Sequence, residues 1–385
     1  MHSVTATSQT RGRSEEKPAI LPTVELVASY ANLPIPQAEA LLENSPPPPC
    51  PISNMPTDIL IEILKHVALL DPVLLYRMSL VCRRLAYHFA HEQHIWKQLC
   101  QGWRFGFEAM HYSFSCDIYG NPNYTLAPRY VLFPRDVSVQ IPKPLSSWSQ
   151  VFQVFPRIRF TGVYISTVNY TRPGAASAYQ NITWNSPIHI VTYFRYLRFY
   201  PDGTVISLLT TTEPKEVVPY INKENMLTAR AMTQRQHQHH AVDPGASLSG
   251  AVDPLPPIVM ATLRHALRGC WHLVRPHNPS GNDDTPSTSQ CPSIAGEAQS
   301  AGLSDPRDVV IETEGVDPKY IYTMHLSLRS PSKSSNPSAS NSTKNTRLAW
   351  KGFWSYNKLT DDWAEFALRN DKAYVFRRVR GWGMD

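Results

Sequence analysis

The chain has 385 residues, with 37 Lys and Arg against 31 Asp and Glu and a formal net charge of +6 at pH 7. Its basic residues are scattered without a dense run, no apolar stretch approaches the roughly 20 residues of a membrane span, and Met1-His2-Ser3-Val4 lacks the apolar core of a signal peptide. The composition therefore predicts a soluble intracellular protein, cytoplasmic and free to enter the nucleus, with neither nucleic acid nor membrane as partner.

Residues 1 to 53 are rich in Ser and Pro, end in Pro46-Pro47-Pro48-Pro49, and read as a disordered leader, with a short helix conceivable between Val24 and Leu42. A helical module follows over 54 to 101. Pro56 suits a first helical turn, Asp58 favours the positive end of the helix dipole, and Ile59, Leu60, Ile63, Leu64 and Val67 share one side of the helix. Asp71-Pro72 breaks that helix, and a second carries Leu74, Leu75, Met78, Leu80, Val81 and Leu85. Three short helices in fewer than about fifty residues bury too little apolar surface to stand alone, so the module predicts a docking face.

Residues 102 to 156 form an aromatic-rich linker, with Trp103, Phe105, Phe107, Tyr112, Phe114 and Tyr119 expected to pack on a neighbour. A short helix from Ser147 to Phe155 carries Trp148, Val151 and Phe152 on one side. From 157 to 385 the pattern is β. Arg157 to Ile165 alternates as a strand, and Tyr193 to Tyr200 and Thr204 to Thr212 form a hairpin through Pro201-Asp202-Gly203. Further strands are expected at 267–274, 309–312, 320–328, 347–356, 363–368 and 374–379, about nine in one run without long helices between them, so the sheet must close or stack. Within 347–356, Leu348, Trp350, Gly352, Trp354 and Tyr356 alternate onto one face, which suits a filled barrel interior. Three polar insertions, near 223–257, 276–306 and 330–346, read as mobile loops, which cost little because closure entropy grows only with the logarithm of length.

Cys50, Cys82, Cys100, Cys116, Cys270 and Cys291 lie far apart with no Cys-x-x-Cys pair, so neither a disulfide framework nor a zinc site is expected. His237, His239 and His240 sit in a polar tract that reads as solvated loop, and Asn123, Asn169, Asn181 and Asn341 head glycosylation tripeptides without a secretory signal. No metal, no cofactor and no catalytic motif is predicted. Asp361-Asp362 reads as a turn.

The ordered set Pro56-Thr57-Asp58-Ile59, Val81-Cys82-Arg83 and Ile95-Trp96 resembles the F-box, with Met55 where Leu is usual and Leu85 where Trp is frequent. The runs Ser147–Phe152, Pro156–Ser166 and Tyr193–Gly203 resemble the carboxy-terminal domain of the F-box only protein 9 family in its fungal form. The resemblance implies an α+β protein, a small all-α F-box followed by an antiparallel, lipocalin-like β-barrel. It implies a non-catalytic substrate receptor of a Skp-cullin-F-box (SCF) ubiquitin ligase that promotes ubiquitination and proteasomal degradation, with a Skp-family adaptor, cullin through it, and protein substrates as partners. Pro56, Ile59, Leu60, Ile63, Leu64, Leu80, Val81, Cys82 and Trp96 match positions that engage the adaptor or hold the module together. In the β domain, Arg159, Arg195 and Arg198 beside Tyr193 and Tyr196 could bind acidic substrate groups, or serve only as solvated cross-strand partners; Arg377, Arg378 and Arg380 invite the same two readings. The alternatives are a barrel that carries a small apolar ligand and an F-box scaffold that works without cullin.

Overall fold

The computed structural model describes residues 23–36, 50–124, 130–173, 188–238, 255–275, 305–330 and 345–379. Pro46 to Pro49, Asn181, His239, His240, Cys291, Asn341, Arg380, most of the leader and most of the 276–306 and 330–346 insertions lie outside these residues, as does the side chain of His237. The chain divides into two compact units, Met1–Ile95 and Trp96–Asp385. That division falls six residues earlier than the expected end of the helical module, inside its last helix.

In the first unit, helix α1 (Thr23–Ser29) and a single 3-10 turn (Tyr30–Asn32) precede α2 (Thr57–Leu70), α3 (Pro72–Ser79), α4 (Arg83–His91) and the start of α5 (Gln93–Gln101). Pro56 occupies the N-cap of α2. Asp71 caps α3 by accepting from the Val73 amide at 3.0 Å, and Pro72 fills a first-turn position whose missing N–H costs nothing. The expected second helix is two helices. After α3 the amides of Leu80 and Val81 bond back only three residues, to Arg77 and Met78, and Cys82 then adopts an extended backbone before α4 starts.

Leu60, Leu64 and Ala68 of α2, Leu75 of α3 and Leu85 of α4 are buried. Arg84 reaches from α4 to the start of α2, donating to the Met55 carbonyl at 3.0 Å and to Thr57 Oγ1 at 3.1 Å. His88, also buried, contacts Glu92 Oε1 at 3.0 Å and the Ala31 carbonyl at 3.2 Å, so the segment before the module is tied to α4.

In the second unit the aromatic-rich segment packs only in part: Phe107 is buried and Phe105, Tyr112 and Phe114 are half-buried, but Trp103 and Tyr119 are exposed, contrary to expectation. Phe107, Phe133, Trp148 and Phe155 meet with ring centroids 5.1 to 5.5 Å apart, and Trp96 lies 5.5 Å from Phe152. Helix α6 (Trp148–Val154) is capped by Ser147, whose hydroxyl accepts from the Gln150 amide, and it buries Trp148, Val151 and Phe152 as expected.

The strands are β1 (Gly162–Pro173), β2 (Ile188–Phe199), β3 (Thr204–Thr210), β4 (Leu267–Leu273), β5 (Asp308–Glu314), β6 (Tyr320–Arg329), β7 (Arg347–Asn357), β8 (Asp362–Glu365) and β9 (Tyr374–Arg378). Each neighbouring pair is antiparallel, and β9 joins β1 to β7, so β1 to β7 and β9 close into an eight-stranded barrel. Strand β8 lies along the part of β7 that β9 does not cover. The β2–β3 hairpin turns as expected, with Gly203 at φ +90°.

Strand parity sorts the residues into two buried layers. Tyr164, Leu197, Phe199, Val205, Trp271, Ile311, Met324 and Leu326 fill the interior, where Trp271 Nε1 donates to the Tyr200 carbonyl at 3.1 Å. Large side chains, Trp271, Tyr164 and Phe199 among them, occupy the interior. On the outer face Val163, Tyr196, Ile206 and Leu208 pack against three helices, α7 (Pro214–Val217), α8 (Lys223–Gln238) and α9 (Pro257–Leu263), through Val217, Met226, Ala229, Val259 and Leu263.

Three expectations need correction. The 223–257 insertion is not a loop throughout, because α8 takes up its first part: Met226 and Ala229 at i, i+3 seat the helix on the sheet, while Leu227 and Met232 stay exposed among its mostly polar residues. The first strand starts at Gly162, five residues late, and runs on to Pro173. In β7 the single-face alternation fails, because His325 pairs with Gly352 while Leu326 pairs with Trp350, leaving Lys351 as a bulge. Leu348 and Trp350 therefore share the interior face with Phe353, and Trp354 turns outward and lies across Gly352. A Cβ at Gly352 would overlap the Trp354 indole. Gly352→Ala is accordingly expected to displace that ring and cost about 1–3 kcal/mol, read as a lower denaturant midpoint with an altered near-ultraviolet dichroism.

Candidate partner-binding surfaces

Helix α2 has more apolar side chains than its own unit can bury. Leu60, Leu64 and Ala68 form one stripe, pointing inward. Ile59, Ile63 and Leu70 fall at i, i+4 and i+11, on a second stripe about 120° round the helix at 100° per residue, and all three are exposed. Helix α3 repeats the arrangement, with Leu75 buried while Val73, Leu74 and Tyr76 face solvent. The turn after it exposes Leu80 to 68 % and Val81 to 66 %.

The nine residues matched to the F-box thus separate by role. Pro56, Ile59, Ile63, Leu80 and Val81 are exposed, while Leu60 and Leu64 are core, and Cys82 is a half-buried free thiol preceding α4. Trp96 is buried and packs on Phe152 inside the second unit. Leu70, Val73 and Tyr76 belong with the exposed set and were not singled out from the sequence. The signal for them was present: on a helix of eight residues, Val, Leu, Leu and Tyr in near succession cannot all point to one side.

The five β-domain candidates are not gathered into one site. Arg195 and Arg198 are three residues apart on β2 and so take opposite faces. Arg195 points into the barrel, where Nε donates to Asp371 at 2.9 Å and the guanidinium lies 5.4 to 5.7 Å from the Phe353 and Trp350 rings. Arg198 is on the outer face, buried, bonded to the Ile221 carbonyl and stacked 4.8 Å from the Tyr200 ring. Tyr196 is buried under the helices with its hydroxyl donating to the Thr212 carbonyl at 2.9 Å, whereas Tyr193 is exposed. Arg159 precedes β1, its guanidinium 5.8 Å from the Phe376 ring and its amide donating to the Tyr164 hydroxyl at 3.2 Å. Burial lowers the pKa of both Arg159 and Arg198, and raises that of Tyr196. Arg377 and Arg378 sit on β9 opposite Val163 and Gly162. Among the described residues no cluster of His, Cys, Asp and Glu could hold a metal ion, and no helix is long and apolar enough to cross a membrane.

Two family descriptions match the chain, "F-box-like" over residues 52–102 and "F-box only protein C-terminal region" over residues 142–251. The F-box protein pof7 of Schizosaccharomyces pombe is 42 % identical over 245 residues, covering 64 % of this chain and 48 % of that protein. The F-box protein HRT3 of Saccharomyces cerevisiae is 30 % identical over 190 residues, covering 48 % of this chain and 49 % of its own length. The chain spans about half the length of these curated relatives. No solved structure matches.

The buried and exposed sets should part in a stability measurement. Leu60→Ala and Trp96→Ala each remove a core side chain and should cost about 2–5 kcal/mol, while Ile59→Ala and Val81→Ala should stay within about 0.5 kcal/mol. Urea denaturation of the four variants checks this.

Proposed function

We propose, from the paired matches to the F-box-like and the F-box only protein C-terminal region descriptions, that the chain is the substrate-recognition subunit of an SCF ubiquitin ligase. The helical module docks on a Skp-family adaptor and through it on cullin, the β domain holds protein substrates, and the outcome is ubiquitination followed by proteasomal degradation. The protein itself supplies binding and positioning, in the cytoplasm or nucleus where that machinery works.

The observation that carries the reading is the unpartnered apolar surface of α2, α3 and the turn between α3 and α4. Burying an apolar side chain of this size yields about 1.5–3 kcal/mol. Ile59, Ile63, Leu74, Leu80 and Val81 therefore supply enough to hold an interface of the standard size, about 1,600 Å² in total. A few such anchors dominate the energy of an interface, and the polar residues beside them, Glu62, His66 and Arg77, suit its rim. The large side chains inside the barrel speak against the carrier alternative, since Trp271, Tyr164, Phe199 and Tyr374 occupy the space an apolar ligand would need.

The test is co-purification of the tagged full chain with the adaptor and cullin. Ile59→Asp together with Val81→Asp places two charges on the exposed surface and should abolish adaptor capture while leaving the melting temperature near that of the parent chain. Undiminished capture by this variant refutes the assigned face. Capture of adaptor without cullin supports a scaffold in place of a ligase receptor.

A further inference from the structure

The second unit contains a cavity of about 420 Å³ beneath the β5–β6 hairpin, whose basic side chains come from four separate places in the chain. Arg230 comes from α8, Arg264 follows α9, Arg268 belongs to β4 and Lys358 follows β7. Glu314 of β5 is the carboxylate among the lining residues, so four cations meet one anion. Asp317 in the adjoining hairpin adds nothing to the balance, because Lys319 pairs with it at 3.5 Å.

The single carboxylate is built in as a brace. Glu314 accepts from the Arg230 guanidinium, from the Arg268 guanidinium at 3.3 Å and from the Arg268 amide at 2.8 Å. Against the burial that pushes its pKa up, these bonds hold it below the usual carboxylate range, so it is ionised at neutral pH. Arg230 also bonds the Ala266 carbonyl, and the Arg268 guanidinium lies 5.4 Å from the Tyr119 ring. Two guanidinium groups are thereby fixed before any ligand arrives, which removes part of the ordering cost of binding. Arg264 and Lys358 are exposed, with no acidic partner assigned to either among the described residues. The imidazole of His265 shares the wall and is harder to protonate than usual, through burial and then through Arg264, as a positive local potential requires.

We propose that this cavity is the β domain's recognition site for an acidic peptide segment, one that presents several Asp or Glu carboxylates along an extended chain. Charge complementarity selects the class of partner: after Glu314 is discounted an excess of three positive charges remains. Guanidinium groups match carboxylates through paired N–H donors, and cations from four separate places in the chain suit separate carboxylates in succession better than one compact anion. The volume is that of a small-ligand cleft, enough for a few side chains of such a segment. The inference rests on the receptor reading above for its biological sense, and the binding itself is independent of the adaptor.

Fluorescence polarisation on the full chain tests it, with a labelled peptide that alternates Glu with Gly and Ser. Saturable binding is expected, with none for the same peptide carrying Gln in place of Glu. Arg264→Glu combined with Lys358→Glu reverses two exposed charges and leaves the Glu314 brace intact. It should weaken binding about tenfold or more with an unchanged melting temperature. Equal binding by the double variant, equal binding of the Gln peptide, or binding confined to a phosphoserine version of the peptide overturns the proposal, as does preferential binding of a single-stranded RNA. Adaptor capture is measured on the same preparation. Capture without peptide binding overturns this inference alone, and peptide binding without capture overturns the receptor reading alone.

Discussion

Helix α2 is asked to serve two hydrophobic surfaces at once, and the first unit is organised around that demand. Its inner stripe, Leu60, Leu64 and Ala68, is buried, as are Leu75 of α3 and Leu85 of α4 in the same unit, and Arg84 ties α4 to the start of α2. Its outer stripe has no such cover. A helix apolar on two sides is ordinarily a buried helix. Here the second side is exposed, and it continues across Val73, Leu74 and Tyr76 to Leu80 and Val81. The same segment therefore supplies both the buried core of the module and its exposed apolar surface, with different residues responsible for each.

The barrel meets a comparable demand by covering both of its faces. Large rings fill the inside, and helices α7 to α9 cover the β1–β3 side of the outside. Further round the outside, Cys116 and Ile118 of the aromatic-rich segment pack with Cys270 of β4 and Ile321 of β6. Burial raises the pKa of the Cys116 thiol to about 11, which makes it an inert packing group rather than a reactive one. A sheet covered on much of both faces leaves its ends and margins as the open surface. The basic cavity lies at such a margin, between the edge of the helical layer and the hairpin turns.

Much of this architecture was legible from residue order alone. The period-2 runs located the nine strands of the described residues, the first of them five residues early, and Asp202-Gly203 located the β2–β3 hairpin, because those signals are local. What escaped was set by tertiary context. The polar face of α8 outweighs its two buried positions in any average over the segment. The bulge at Lys351 shifts parity by one residue, and it shows only in the pairing with β6. The arginines of β2 looked like a cluster because they are close in sequence, but alternation sends Arg195 inside and Arg198 outside. The cations of the cavity come from positions 230 to 358, a separation across which no sequence pattern connects them.

The seam of the barrel has a consequence for how the chain is made. Strand β9 meets β1 over four residue pairs and β7 over two, and it is last in order among the strands. Until Tyr374 to Arg378 leave the ribosome, β1 and β7 must wait as unpaired margins of an open sheet, each offering free amides and carbonyls to any other extended chain nearby. A handful of residues thus decides whether that sheet becomes a ring or stays open to intermolecular pairing.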